Sequence, residues 1–200
     1  MLLLQKKRNT GTKWRAQQLK MALRKAASYS KKPVVPYTRI SRKKGKAFVK
    51  VVPPQKIVKF TMGSEQAYDM GKLPYQLRVL AEEKCQIRHN ALEACRQFVN
   101  RNLETKYIGQ YFFRVIPFPH HIQRENKMLT GAGADRMSTG MQLSFGKSSG
   151  KAAIVKKGSG IFFIASQSEK IMQTARKLLH QVKPKLPCRT RMITEIIKQN

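Results

Sequence analysis

Acidic residues are scarce in this 200-residue chain: 10 Asp and Glu stand against 41 Lys and Arg, a formal net charge of +31. A folded chain so charged repels itself, and nucleic-acid phosphates relieve that repulsion while releasing condensed counterions. Cysteine is scarce too. Cys85, Cys95 and Cys188 are odd in number and form no CxxC pair, which argues against a disulfide framework or zinc ribbon and for buried free thiols. Cys85 and His89 lie four apart, but two ligands do not make a metal site, so neither metal nor cofactor is expected. Long apolar runs are missing: none approaches the roughly 18 residues of a membrane-spanning helix, and MLLL is too short for a signal h-region. The expectation is a soluble, intracellular protein with no membrane role. What the chain does have is 41% hydrophobic residues, enough for one core domain and a tail.

The charge is uneven. The first acidic residue is Glu65, and the first 60 residues carry 18 of the 41 basic ones. Residues 13–27 lack a helix breaker but space Trp14, Leu19, Ala22, Leu23 and Ala26 irregularly, a weakly amphipathic helix at best. Between Lys31 and Pro54, Pro33, Pro36, Pro53 and Pro54 favour extended backbone. Arg39, Arg42, Lys43, Lys44 and Lys46 cluster there with no acid between them, as a phosphate-contacting arm requires.

Further on, IVKFTMG (57–63) and YQLRVLA (75–81) alternate as strands. Residues 82–104 carry Ile87, Ala91, Ala94, Cys95, Phe98 and Val99 at helical spacing, which predicts one helix opened by two glutamates, with Arg88, Arg96 and Arg101 on its surface. QYFFRVIPFP (110–119) predicts a strand whose aromatics belong to the core. AAIVKK (152–157) and IFFIAS (161–166) flank Gly158-Ser159-Gly160 and predict a β-hairpin. Ser166 and Glu169 form a capping box for a helix with Ile171, Ala175, Leu178 and Val182 inward, ended by Pro184 and Pro187. RTRMI (189–193) predicts a last strand. The order of elements suits an α+β two-layer fold with a mixed sheet and two main helices. Its expected divisions are an N-terminal extension (1–20), a basic arm (21–56), one core (57–193) containing a loop at 126–150, and a C-terminal tail (194–200).

That loop, KMLTGAGADRMSTGMQLSFGKSSGK (127–151), ends in the letters of a phosphate-binding loop. A Walker loop needs four residues between its glycines, whereas five separate Gly140 from Gly146, and Phe145 stands where the second glycine belongs. A strand, not a helix N-terminus, is expected to follow. The dinucleotide pattern fails because Gly131 and Gly133 would need a third glycine where Arg136 stands. Ser144, Ser148, Asp135, His120 and His121 make no triad, lacking a nucleophile elbow or paired carboxylate. Five glycines in 25 residues instead allow close backbone approach to another surface. The balance of Lys127, Arg136, Lys147 and Lys151 against Asp135 points that surface toward RNA.

These residues carry a resemblance. Pro117-Phe118, Arg124-Glu125-Asn126, Met128, Ala132 to Arg136, Thr139-Gly140-Met141 and Phe145-Gly146-Lys147 resemble, in order, the hallmark segment of the universal large-subunit ribosomal family called L-sixteen in bacteria and L-ten-e in archaea and eukaryotes. IRHNALEACRQFVNRNL (87–103) resembles the family's first helix and PYTR (36–39) its basic arm. The likeness covers about residues 21–193 and is nearest the archaeal form.

The resemblance implies an α/β-hammerhead fold and no enzymatic activity. It implies a place on large-subunit ribosomal RNA in the cytoplasmic ribosome, beside neighbouring ribosomal proteins and assembly factors, with no homo-oligomer. Arg24, Lys25, Arg39, Arg42, Lys43, Lys44, Lys46, Arg88 and Arg124 are the expected rRNA contacts. Lys127, Gly131, Gly133, Asp135, Arg136, Gly140, Met141, Gly146 and Lys147 are expected to face transfer RNA near the peptidyl-transferase region. Two departures stand out. MALR (21–24) resembles the family's usual start, so residues 1–20 read as an added tail or a misplaced start codon. Residues 141–144 also lack the arginine that relatives place after the TGM step. The rival readings are a nucleotide-dependent enzyme and an imported mitochondrial form with a basic, acid-free leader.

Overall fold

In the computed structural model, strand β2 (Tyr75–Ala81) stands where its alternation predicts it. The structure describes residues 36–38, 49, 51–125 and 147–197. The expected helix at 13–27, most of the basic arm, and the glycine-rich segment 126–146 lie outside them.

The other elements are β1 (Thr61–Gly63), α1 (Glu65–Asp69), β3 (Cys85–Arg88), α2 (His89–Lys106), β4 (Tyr111–Val115), β5 (His121–Glu125), β6 (Lys147–Val155), β7 (Gly160–Ser166), α3 (Glu169–Val182) and β8 (Thr190–Ile196). The fold is α+β. Its strands divide between a five-stranded sheet, β1-β4-β7-β2-β8, and a three-stranded sheet, β3-β6-β5. Every pairing in both is antiparallel, where the sequence suggested one mixed sheet.

Helices α2 and α3 pack on each other, and α2 also touches β3, β4 and β6, so it bridges the two sheets. Leu92, Cys95, Val99 and Leu103 of α2 meet Ile171, Ala175, Leu178, Leu179 and Val182 of α3 over Leu77, Phe113, Phe162 and Ile164. Each fully buried Phe or Leu contributes about 1.5–3 kcal/mol relative to exposure. Of the aromatics of 110–119, Tyr111, Phe112 and Phe113 are buried core residues as expected, whereas Phe118 is exposed. All three cysteines are free thiols, Cys85 and Cys95 buried and Cys188 half-buried.

Four expectations need correction. The helix predicted from residue 82 begins at His89, with Arg88 as its N-cap. Cys85–Arg88 is instead a strand buried at all four positions, so Glu82 and Glu83 do not open the helix and Cys85 shares no helical face with His89. Residues 152–157 and 161–166 do not form a hairpin. Strand β7 is already paired on both edges, to β2 and β4, and β6 lies between β3 and β5. The Gly158-Ser159 turn bonds to the end of β2 instead, Gly158 N–H donating to the Ala81 carbonyl at 2.7 Å and Ala81 N–H to the Ser159 carbonyl at 2.9 Å. The cap of α3 is Ser168, not Ser166: its Oγ accepts from the Lys170 amide at 3.3 Å, while Ser166 Oγ donates to the Ser168 carbonyl. Finally, β6 begins at Lys147, so residues 147–150 belong to the sheet rather than to a loop.

Candidate nucleic-acid interface

The glycine-rich segment has a stem. Its flanks are neighbours in the β5–β6 ladder, where Glu125 pairs with Lys147 and Arg124 with Ser148. A register irregularity between Gln123 and Arg124 marks a bulge of the kind that increases local twist. Lys147 and Ser148 therefore sit on extended backbone, and no helix N-terminus follows Gly146 to hold a phosphate.

Tyr37, of the PYTR stretch, docks on that stem. Its amide donates to His121 Nδ1 at 3.0 Å, and its carbonyl accepts from the Ile122 amide at 2.9 Å. The Arg124 guanidinium carbon lies 4.1 Å from the centroid of the Tyr37 ring, a cation–π contact. A second histidine does the same further along the arm: the Lys56 amide donates to His89 Nδ1 at 3.3 Å. His89 is the first residue of α2, where the positive end of the helix dipole also disfavours a charged ring. Gly150 lets β6 cross this imidazole, since a Cβ there would stand 3.3 Å from His89 Nε2.

Both rings must be unprotonated at Nδ1 to accept these bonds, and their surroundings keep them so. Burial, then Lys56, Arg88 and Lys151, lowers His89 from 6.5 to about 4. Burial, then His120 and Arg124, lowers His121 to about 4. Glu93 anchors the same flank from α2. Its carboxylate accepts from Arg96 Nε at 2.8 Å, Arg96 Nη2 at 2.6 Å and Gln97 Nε2 at 2.9 Å, and from the Val58 backbone. Arg96, led by its hydrogen bonds, holds this carboxyl below the usual range.

Of the residues expected to meet RNA, Arg88 is buried, 8% exposed, at the β3–α2 junction rather than on a helix surface. Arg124 is half-buried over Tyr37. Arg24, Lys25, Arg39, Arg42, Lys43, Lys44, Lys46, Lys127, Gly131, Gly133, Asp135, Arg136, Gly140, Met141 and Gly146 lie outside the described residues. No sequence pattern marks Tyr37, His89 or His121 as organising residues. His121, which with His120 makes no triad, is a buried hydrogen-bond acceptor. Among the described residues no cluster of three metal-ligating side chains occurs, and no helix is long and apolar enough to cross a membrane.

A family model described as "Ribosomal protein L16p/L10e" matches residues 36–193. The chain is 40% identical over 170 residues to the large ribosomal subunit protein uL16 of Methanoculleus marisnigri, covering 82% of this chain and 96% of that one. It is 39% identical to the protein of the same name from Thermoplasma acidophilum, over 84% of this chain and 89% of that one. It is 42% identical to that from Hyperthermus butylicus, over 78% and 82%. The span of the family model takes in Tyr37, strands β1 to β7 and the stem of the glycine-rich segment, and the chain belongs to the L16p/L10e ribosomal protein family.

Proposed function

We propose that the chain is a non-enzymatic constituent of the large subunit of the cytoplasmic ribosome, bound to large-subunit rRNA. The basic arm and the surface around it meet phosphates, and the segment 126–146 supports transfer-RNA positioning near the peptidyl-transferase region. The observation that carries this reading is Tyr37 bonded to the strand from which that segment springs. In sequence, the cluster Arg39 to Lys46 begins two residues beyond this fixed point. Lys127, Arg136 and Lys147 are the segment's basic candidates for RNA. The arm (21–56) and core (57–193) act as one unit in this reading, and the division into two sheets joined by α2 suits a hammerhead-like frame. Neighbouring ribosomal proteins and assembly factors are the expected protein partners.

The test replaces residues 130–146 by a short Gly-Ser linker. The expected result is a stable protein that still enters large subunits, with ribosomes impaired in peptide synthesis. Unchanged peptide synthesis by those ribosomes overturns the transfer-RNA role; failure of the wild-type chain to bind large-subunit rRNA overturns the whole reading.

A further inference from the structure

The face of the five-stranded sheet turned away from α2 and α3 is only partly covered. Tyr68 of α1 stacks on Phe112, with ring centroids 4.9 Å apart, and meets Phe163 edge-on at 5.5 Å. Beside them a groove of about 750 Å³ remains open, within the size range of small-ligand sites.

One cross-strand row builds its floor. Arg114 on β4 and Arg78 on β2 are both direct register partners of Phe163 on β7, so a ring stands between two guanidinium-bearing side chains. The two arginines are not equivalent. The Arg78 guanidinium lies 5.7 Å from the Phe163 centroid and is paired with Glu195 at 3.6 Å. Arg114 is exposed and has no acidic partner among the described residues. No carboxylate lines the groove. Phe60, which lines the groove, stacks on Phe118 just outside the lining, centroids 5.6 Å apart and planes 30° apart. Phe118 is 56% exposed and neighbouring Ile116 48%.

An exposed Phe118 stacked on a half-buried Phe60, near a cation with no acidic partner among the described residues, matches the two halves of a nucleotide: a π-face for the base and a charge for the phosphate. An acidic peptide would satisfy Arg114 but would leave the Phe118 face without a planar partner. Double-stranded RNA has its bases already stacked. We propose that this groove holds one unpaired nucleotide of single-stranded RNA, its base against Phe118 and Phe60 and its phosphate on Arg114. The inference rests on the rRNA-binding reading and adds a site on the far side of the sheet from α2 and α3.

The test titrates the full-length chain into an eight-nucleotide single-stranded RNA carrying one 2-aminopurine, at several salt concentrations, with an rRNA-fragment titration alongside. Wild-type protein should quench the 2-aminopurine. Phe118→Ala should weaken binding about five-fold or more without changing the salt slope. Arg114→Gln should reduce that slope by about 0.7. Both side chains are exposed, and Phe118→Leu repeats the test more gently if thermal melts show loss of fold. Absent quenching, or both variants matching wild type while the rRNA fragment still binds, overturns the groove and leaves the rRNA reading standing. Loss of rRNA-fragment binding by the wild-type chain overturns both. Variants that keep the oligonucleotide but lose a neighbouring ribosomal protein in reconstituted subunits would assign the groove to a protein segment and likewise overturn it.

Discussion

The amide of Tyr37 is bonded to Nδ1 of His121 at 3.0 Å, across 84 positions of sequence, and this bond joins the basic arm to the core. In His121→Leu the Tyr37 N–H loses its acceptor, at a cost of about 1–3 kcal/mol. Faster tryptic cleavage on the N-terminal side of Lys56 should follow. His121→Asn, which keeps an acceptor oxygen, should restore much of the protection; equal cleavage of wild type and His121→Leu would show that the bond does not hold the arm.

Acid should loosen the same attachment. His89 and His121 have folded values of about 4 against 6.5 unfolded. Between those values the unfolded chain binds more protons than the folded one, so stability falls as pH drops from about 6.5 to about 4. Above that window the neutral rings contribute fully. Urea midpoints measured from pH 7.5 to 4 should decline, and the double variant His89→Gln/His121→Gln should flatten the slope.

Two ion pairs should behave differently. Glu93 and Arg96 are 11% and 12% exposed, so Glu93→Gln leaves a largely buried guanidinium without its charge partner and should cost about 3 kcal/mol. Glu195→Gln removes the partner of Arg78 from a pair 48% exposed at both ends and should cost under about 1 kcal/mol. Because the folded pKa of Glu93 is depressed, its contribution is present above the unfolded value of 4.5 and is lost as pH falls through the folded one. Denaturant midpoints of the two variants at pH 7 provide the comparison.

Gly63 ends β1 at φ +84°, and a Cβ there would run into the carbonyl oxygen of Tyr111. That carbonyl already accepts from the Ser64 amide at 2.9 Å. Gly63→Ala should therefore destabilise the fold by about 2 kcal/mol or more, read as a lower melting temperature. By contrast, Gly71→Ala meets nothing within 4 Å and carries only the positive-φ strain, so it should be the milder variant.

Those elements were legible whose burial follows a simple period. β2 appears at its predicted residues, and α3 buries Ile171, Ala175, Leu178 and Val182 as its spacing requires. β3 was hidden because Cys85, Gln86, Ile87 and Arg88 are all buried, which removes alternation, and Ile87 falls in helical register with Ala91. β5 was hidden because HIQRE has one apolar residue. Its buried polar groups find partners far away in sequence, His121 Nδ1 accepting from the Tyr37 amide and Gln123 Nε2 donating to Gln86 at 3.2 Å. The false hairpin came from a turn whose flanking strands are recruited to different sheets, a tertiary choice that no local signal encodes. At the candidate interface the charge of the arm could be read directly, but the histidines that accept from it could not, because a buried acceptor looks like any other histidine.

The stem formed by Glu125 and Lys147 separates two design problems. With both flanks fixed by a ladder, the closure entropy of the intervening segment grows only logarithmically, about 0.6 kcal/mol for each doubling of length. Length and composition between these residues can then vary at little expense to the sheet below.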